Sequence, residues 1–252
     1  VFGQGFVGKL AFPSANVSDR LEKTFTSVNF NMMIMVIYAL ITIAIFGMWY
    51  YARYEGNFLP SPKKTFNPMM LAAIVILVPG TQFAANFIAN LTGYIRPDWL
   101  QQYNELFETS GITDTTFVTV LYSVILAPIC EELIFRGVTM RCARKALPFA
   151  LANLMQAALF GLFHLNWIQG IYAFALGIVL GYVCERGGSI YYSMGLHLLF
   201  NLWGTLSGFF PDPGNSVVVS VIVIAVTIVS LTAGFVLFNK GRRKLPINST
   251  GI

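Results

Sequence analysis

Six side chains that could take part in acid–base or hydrogen-bond chemistry lie within apolar stretches of this chain. They are Glu131, Glu132, Arg136, His164, His197 and Asn201. The two histidines among them are the only histidines in the sequence. An ionisable group in a membrane-spanning segment costs a few kcal/mol on insertion scales, so it indicates function by default. We therefore look first for the chemistry that these six groups could perform together.

The first three groups divide into a pair and a single carboxylate. Glu132 and Arg136 are four residues apart, so on a helix they share a face and can form an ion pair. Glu131 is rotated by about 100° from Glu132 on the same helix. It should therefore face a different neighbour and keep its carboxylate free. The spacing predicts one supporting ion pair and one available carboxylate.

The histidines and the asparagine can reach the same depth as the glutamates. Glu132 and His164 lie equally far from Pro148 in the sequence, on its two sides, and Pro148 marks the turn of an antiparallel helix pair. His197 lies roughly 14 Å beyond the turn that precedes its own helix, and Asn201 follows one turn later on the same face. A carboxylate and imidazoles around a water molecule are typical of general-base hydrolysis. An imidazole and an amide can also donate hydrogen bonds to a developing oxyanion.

Each group also has a simpler interpretation when it is taken alone. A glutamate–arginine pair within one helix often serves only architecture. A single histidine in a membrane helix often joins two helices by a hydrogen bond. The catalytic hypothesis therefore depends on the six groups lying together.

The composition indicates the scaffold that must position them. The chain has 252 residues, of which 56% are hydrophobic and 11% are charged, whereas soluble domains carry about 25% charged residues. We predict an all-α, polytopic transmembrane helix bundle of about seven spans. The expected spans are residues 29–51, 68–94, 114–146, 148–165, 167–184, 189–208 and 216–238. We expect a kink or break at Pro79–Gly80 in the second span and a polar, acidic loop over residues 95–113.

The remaining composition excludes several other classes of protein. The net charge of +5 comes mostly from loop lysines and arginines, which encode membrane orientation rather than nucleic-acid binding. The three cysteines, Cys130, Cys142 and Cys184, do not form the even set that a disulfide framework requires. The sequence therefore predicts contact with membrane lipid and no nucleic-acid partner.

The loops predict the domain organisation and the orientation. We expect an N-terminal extramembrane arm over residues 1–28, a transmembrane domain over 29–238 and a basic tail over 239–252. Basic loops alternate with acidic or uncharged ones along the seven expected spans, which places the C-terminus in the cytoplasm. The basic residues of the N-terminal arm fit this orientation poorly, and a further span upstream of residue 1 would explain them.

Three short motifs resemble those of a known family. Residues 131–136, Glu-Glu-Leu-Ile-Phe-Arg, resemble the EExxxR motif of the CPBP family, which comprises type II CAAX prenyl endopeptidases and bacteriocin-processing or self-immunity proteins. Residues 160–164 and 197–201 resemble its FxxxH and HxxxN motifs, in the family's order. The resemblance covers about residues 115–208, whereas the rest of the chain resembles the family only as hydrophobic spans.

The resemblance implies an intramembrane protease and a role for each group. Glu131 would activate the attacking water with help from His164, and Glu132 with Arg136 would be a supporting pair. His197 and Asn201 would stabilise the oxyanion.

Zinc is the alternative cofactor, because the family was first described as metalloproteases. Glu131, His164 and His197 could supply three zinc ligands and leave a fourth position for water. The sequence does not decide between this and a metal-free reaction.

Two other functions remain open at this point. Buried carboxylates and histidines also line the ion paths of transporters, although the sequence contains no inverted repeat and no second broken helix. A non-catalytic scaffold or regulator that binds a membrane partner is the third hypothesis. For a protease, the expected substrate is a membrane-associated peptide or a lipidated protein, and the expected location is the membrane of a bacterial cell, crossed several times.

Overall fold

The computed structural model of the protein describes residues 19, 28–55, 67–110, 116–207 and 216–242. The predicted all-α class is confirmed, since the described residues form helices and no strands. The expected N-terminal arm lies outside the described residues except for Asp19 and Val28. The expected basic tail is described only as far as Arg242.

Eight helices make up the described part of the chain. They are α1 (Val28–Tyr50), α2 (Pro68–Ile95), α3 (Pro97–Ser110), α4 (Phe117–Ala143), α5 (Phe149–Phe163), α6 (Trp167–Gly187), α7 (Ile190–Ser207) and α8 (Val217–Gly241). A π-helical turn, Tyr51–Glu55, continues α1.

Five of these helices, α1, α2, α4, α6 and α8, are long and apolar enough to cross a membrane. The other two helices at expected spans are present but fall short of that measure. Helix α5 has 15 residues, and the apolar stretch of α7 is interrupted by Ser193, His197 and Asn201. Length and composition thus support five of the seven expected spans, because α5 and α7, which carry His164, His197 and Asn201, are shorter or less apolar than their neighbours.

Helix α6 lies at the centre of the bundle. Its residues Leu176, Leu180 and Val183 pack with α2, α7 and α8 in the largest apolar cluster. Cys184 packs against α1 and α4 in the second cluster, and Ala173 packs against α4 and α5 in the third. This helix therefore connects all the elements that carry the candidate site.

Helix α2 continues through Pro79, so of the expected kink or break the break is wrong. The hydroxyl of Ser230, on α8, accepts a hydrogen bond from the Gly80 N–H at 3.0 Å and donates to the Ile76 carbonyl. Gly80 and Ile76 are the donor and acceptor of one turn of the helix. Ser230 therefore satisfies the polar groups of the turn that the proline disturbs.

The polar stretch expected to be a loop is largely the helix α3. Pro97 occupies its first position, where a proline's missing N–H costs nothing. Trp99 stacks on Trp167 of α6 with ring centroids 5.3 Å apart. Near the start of α3, Arg96 forms an ion pair with Asp98 at 2.7 Å.

Helix α4 holds the two glutamates in its centre. Thr116 caps its N-terminus through a side-chain bond to the Thr119 N–H, and the helix ends at Ala143 rather than at Ala146. An α-helical stretch, Ala127–Glu132, lies between two π-helical stretches, Leu121–Leu126 and Leu133–Met140. Such π-helical turns are rare and frequently mark functional sites.

Candidate active site

A completely buried ion pair forms the base of the site. Glu132 and Arg136 are both 0% exposed, and the Arg136 Nη1 lies 2.8 Å from the Glu132 Oε1. Arg136 also donates from Nη2 to the Gly177 carbonyl of α6 at 3.2 Å. Its guanidinium carbon lies 4.6 Å from the ring centroid of Phe160, on α5. The predicted pairing is confirmed, and it joins α4 to both α5 and α6.

His197, on α7, connects the two glutamates. Its Nδ1 lies 3.0 Å from the Glu132 Oε1, and its Nε2 lies 3.5 Å from the Glu131 Oε2. A carboxylate can only accept, so the bond to Glu132 requires a proton on the histidine Nδ1. The distance to Glu131 exceeds that of a hydrogen bond but is short enough for one water molecule to contact both atoms.

Glu131 is the only one of the two glutamates with access to open space in the described structure. Its side chain is 16% exposed and lines a cavity of about 30 Å³ together with residues of α1, α4 and α5. A water needs about 10–15 Å³ of such space, so the cavity has room for one or two water molecules. The other lining residues are Tyr38, Ala39, Tyr122, Ala127, Cys130, Ile134 and Phe163.

His164 is the C-terminal cap of α5. The next residue, Leu165, has a left-handed backbone conformation with φ of 53°, so the helix does not continue past it. The His164 Nδ1 lies 2.8 Å from the Phe160 carbonyl oxygen. A carbonyl accepts and cannot donate, so Nδ1 carries the proton and Nε2 has a free lone pair when the ring is neutral. The fixed tautomer makes the His164 Nε2 a hydrogen-bond acceptor.

Phe160 lies between the two histidines. Its ring makes edge-on contacts with the rings of His164 and His197, at centroid distances of 5.0 and 5.7 Å. Together with its contact with the Arg136 guanidinium, the ring keeps the two imidazoles and the buried cation in a fixed arrangement.

Asn201 lies one turn beyond His197 on α7, and its Nδ2 donates to the Ser123 carbonyl of α4 at 2.8 Å. Ser123 is in the first π-helical stretch of α4. A side-chain amide has two N–H donors, so one remains for another acceptor. This bond fixes the amide against the helix that carries the glutamates.

The structure thus brings four of the six predicted residues into direct contact: Glu131, Glu132, Arg136 and His197. His164 joins them through the Phe160 ring. In the described residues no ion pair links Glu131 to His164. The imidazole nearest to Glu131 is that of His197, because the rotation of separate helices, which the sequence did not determine, turns His197 toward both glutamates.

The residues do not form the three-ligand zinc site of the alternative hypothesis. Across the described ranges, no three His, Cys, Asp or Glu side chains lie close enough to hold a metal ion. Both ring nitrogens of His197 face glutamates, and one nitrogen of His164 faces a backbone carbonyl.

Two buried polar residues near the site were missed by the sequence reasoning. Asn153 and Gln156, on α5, are 5% and 0% exposed, and Gln156 donates to the same Gly177 carbonyl as Arg136. Two amides three residues apart in an otherwise apolar helix were the available signal, because such residues share one helix face.

Comparison with known proteins found a family model that matches the part of the chain with the candidate residues. The family model of the type II CAAX prenyl endopeptidases, Rce1-like, matches residues 113–203. No curated protein and no solved structure matches the chain. The matched segment begins just before α4 and ends within α7, so it contains all six candidate residues. Residues 113–203 are therefore similar to the Rce1-like type II CAAX prenyl endopeptidases, which is consistent with a CPBP family intramembrane protease.

Proposed function

We propose that this integral membrane protein is an endopeptidase that hydrolyses a peptide bond in a membrane-associated peptide or protein. One observation carries the proposal. The Glu131 carboxylate lines a water-sized cavity and lies 3.5 Å from His197, which is itself held by the buried Glu132. A carboxylate placed beside a water and an imidazole is suited to general-base hydrolysis.

Glu131 performs both proton transfers in the proposed reaction. Its carboxylate takes a proton from a water molecule while the water oxygen forms a bond to the carbonyl carbon of the substrate. The resulting tetrahedral intermediate collapses when the carbon–nitrogen bond breaks. As this bond breaks, Glu131 returns the proton to the nitrogen, so the amine leaves as a neutral molecule and the Glu131 carboxylate is regenerated. Such acid–base catalysis contributes about 10²–10⁴-fold to the rate.

His164 assists by accepting a hydrogen bond from the same water. The Phe160 carbonyl holds the Nδ1 proton, so the Nε2 lone pair is available to orient the water. The role is positional, and the proton itself goes to Glu131.

His197 and Asn201 stabilise the oxyanion. The His197 Nδ1 proton is held by Glu132, so the ring donates to the oxyanion only from Nε2, and this role requires a proton on that nitrogen. Asn201 has its second amide N–H free of the Ser123 bond. Two donors of this kind, preorganised in a poorly solvated site, stabilise the developing negative charge.

The substrate and the orientation complete the proposal. The family match favours a lipidated C-terminal tail or a related membrane peptide as substrate. The transmembrane domain, residues 29–238 with its core at 115–208, contacts membrane lipid, and the C-terminus faces the cytoplasm of a bacterial cell. Cysteine labelling at positions in the 141–148 turn and the 209–215 segment tests this orientation, and labelling of both from one side contradicts it.

A hydrolysis assay in isotopic water tests the function. The purified protein in lipid vesicles is incubated in H₂¹⁸O with a panel of prenylated and unmodified membrane peptides, with and without a chelator. We expect a product whose new C-terminus carries one ¹⁸O by mass spectrometry, with no product from Glu131→Ala. A transporter or a scaffold yields no such product from any peptide in the panel.

A further inference from the structure

Two buried amides beside the site have no part in the reaction described above. Asn153 and Gln156 lie on α5, one helical turn apart, and are 5% and 0% exposed. Burial of uncharged polar side chains costs free energy unless their hydrogen bonds are made. The partners of these two side chains therefore indicate why an apolar helix contains them.

The hydrogen bonds fix both amides in a single orientation. Asn153 donates from Nδ2 to the Ile178 carbonyl at 3.0 Å, so its Oδ1 faces Gln156. Gln156 donates from Nε2 to this Oδ1 at 2.7 Å and to the Gly177 carbonyl at 2.9 Å. Reversing either amide would place oxygen against oxygen. The pair therefore presents an N–H donor at the Gly177 carbonyl.

The Gly177 carbonyl is also the α6 partner of the buried arginine. Arg136 donates to it from Nη2 at 3.2 Å and to the Glu132 Oε1 from Nη1 at 2.8 Å. The same Glu132 oxygen holds the His197 ring at 3.0 Å. A continuous series of hydrogen bonds thus runs from α5 to His197, the group next to Glu131.

Helix packing keeps the amides close to α6. A Cβ added at Gly181 would lie 1.9 Å from the Asn153 Oδ1 and 2.7 Å from the Gln156 Nε2. Only glycine permits this approach at position 181. The close packing of α5 on α6 therefore depends on the two amides of α5 and on the glycine at position 181 of α6.

We propose that Asn153 and Gln156 are positioning residues for the hydrolysis. They fix the Gly177 carbonyl and, through it, the guanidinium of Arg136, which sets the position of Glu132 and of the His197 ring. This inference rests on the proposed function. Because a misplacement of about 1 Å can cost 10²-fold in rate, loss of the amides should reduce turnover without changing the contacts that bind substrate.

Gln156→Met tests the proposal, because methionine keeps the length of the side chain and removes both hydrogen bonds. We expect kcat to fall about 10–100-fold, with KM within about twofold of wild type. Gln82→Met is the matched control: Gln82 is a buried glutamine on α2 whose Nε2 donates to Asn86. Unchanged kcat in Gln156→Met, or an equal loss in the control, overturns the proposal.

A second variant separates positioning from simple loss of stability. Asn153→Ala removes the acceptor that orients Gln156, and we expect a smaller loss of kcat, about 3–10-fold, at a temperature where the protein is fully folded. The double variant should be no slower than Gln156→Met alone, because Asn153 acts through Gln156. Losses that multiply in the double variant, or that disappear when rates are normalised to folded protein, contradict the proposed role.

The outcomes also distinguish this inference from the function on which it rests. If wild-type protein cleaves no peptide in the panel, the proposed function fails. If wild type cleaves, Glu131→Ala does not, and Gln156→Met cleaves at the wild-type rate, the function stands and the positioning role fails.

Discussion

Replacement of Glu132 by glutamine should destabilise the protein far more than the same change at Glu131. Glu132 is 0% exposed and its Oε1 accepts from Arg136 at 2.8 Å and from His197 at 3.0 Å. Glutamine keeps the shape and an acceptor oxygen but removes the negative charge. The guanidinium of Arg136, also 0% exposed, is then left without its carboxylate.

The loss of stability expected from each substitution follows from how deeply the glutamate side chain is buried. Removing one partner of a buried ion pair costs about 3–5 kcal/mol, and the retained acceptor places Glu132→Gln near 3 kcal/mol. Among the described residues Glu131 is 16% exposed and has one ion-pair partner, His197, at 3.5 Å, so Glu131→Gln breaks no short hydrogen bond and should cost about 1 kcal/mol or less. The two variants differ by one position on the same helix.

Equilibrium unfolding in mixed micelles, followed by circular dichroism as the fraction of SDS rises, measures both free energies. The expected result is an unfolding midpoint for Glu132→Gln well below that of wild type and of Glu131→Gln. Equal midpoints for the two variants, within about 0.5 kcal/mol after conversion, would refute the assignment of Glu132 as the structural carboxylate and Glu131 as the free one.

Two further substitutions test the packing and the oxyanion assignment. Gly181→Ala should displace the Asn153 amide, because its Oδ1 would lie 1.9 Å from the new Cβ, and the free energy of unfolding should fall by about 1–3 kcal/mol. Gly195→Ala is the control and should not be destabilised, because nothing lies within 4 Å of its added Cβ. Equal unfolding midpoints for these two variants would contradict the packing argument. Asn201→Ala should lower kcat in peptide hydrolysis by about 10²–10³-fold with little change in KM, whereas near-normal kcat would remove Asn201 from the oxyanion site.

The sequence predicted the positions of the helices well because the hydrophobic effect determines them locally. Apolar length and flanking charge predicted starts and ends within a few residues for most spans. Helix α3 was missed because a polar, acidic composition hides an amphipathic pattern. Its apolar residues Trp99, Leu100 and Tyr103 follow helical spacing after Pro97, which a search for amphipathic period would have detected.

The sequence also predicted the ion pair, because Glu132 and Arg136 belong to one helix and their spacing alone sets their geometry. It did not predict which imidazole lies next to Glu131. Depth within the bilayer follows from counting residues, but the rotation of α5 and α7 about their own axes depends on packing. The glycines at positions 177 and 181 allow the close contacts that set the packing of α5 on α6.

Continuity of α2 through Pro79 required a partner from a distant part of the sequence. Ser230, on α8, bridges the N–H of Gly80 and the carbonyl of Ile76. A proline within a helix predicts disturbance from local rules alone. The Ser230 hydroxyl satisfies the disturbed turn only because α8 packs against α2, and local rules do not predict that packing.

The cleavage rate of Glu131→Gln tests the central claim most directly. The substitution keeps the size of the side chain and removes the group proposed to take the proton from water. With a peptide that wild type cleaves, and with folding confirmed by the unfolding midpoint, kcat should fall about 10²–10⁴-fold. A folded Glu131→Gln protein that cleaves this peptide at close to the wild-type rate would contradict the account.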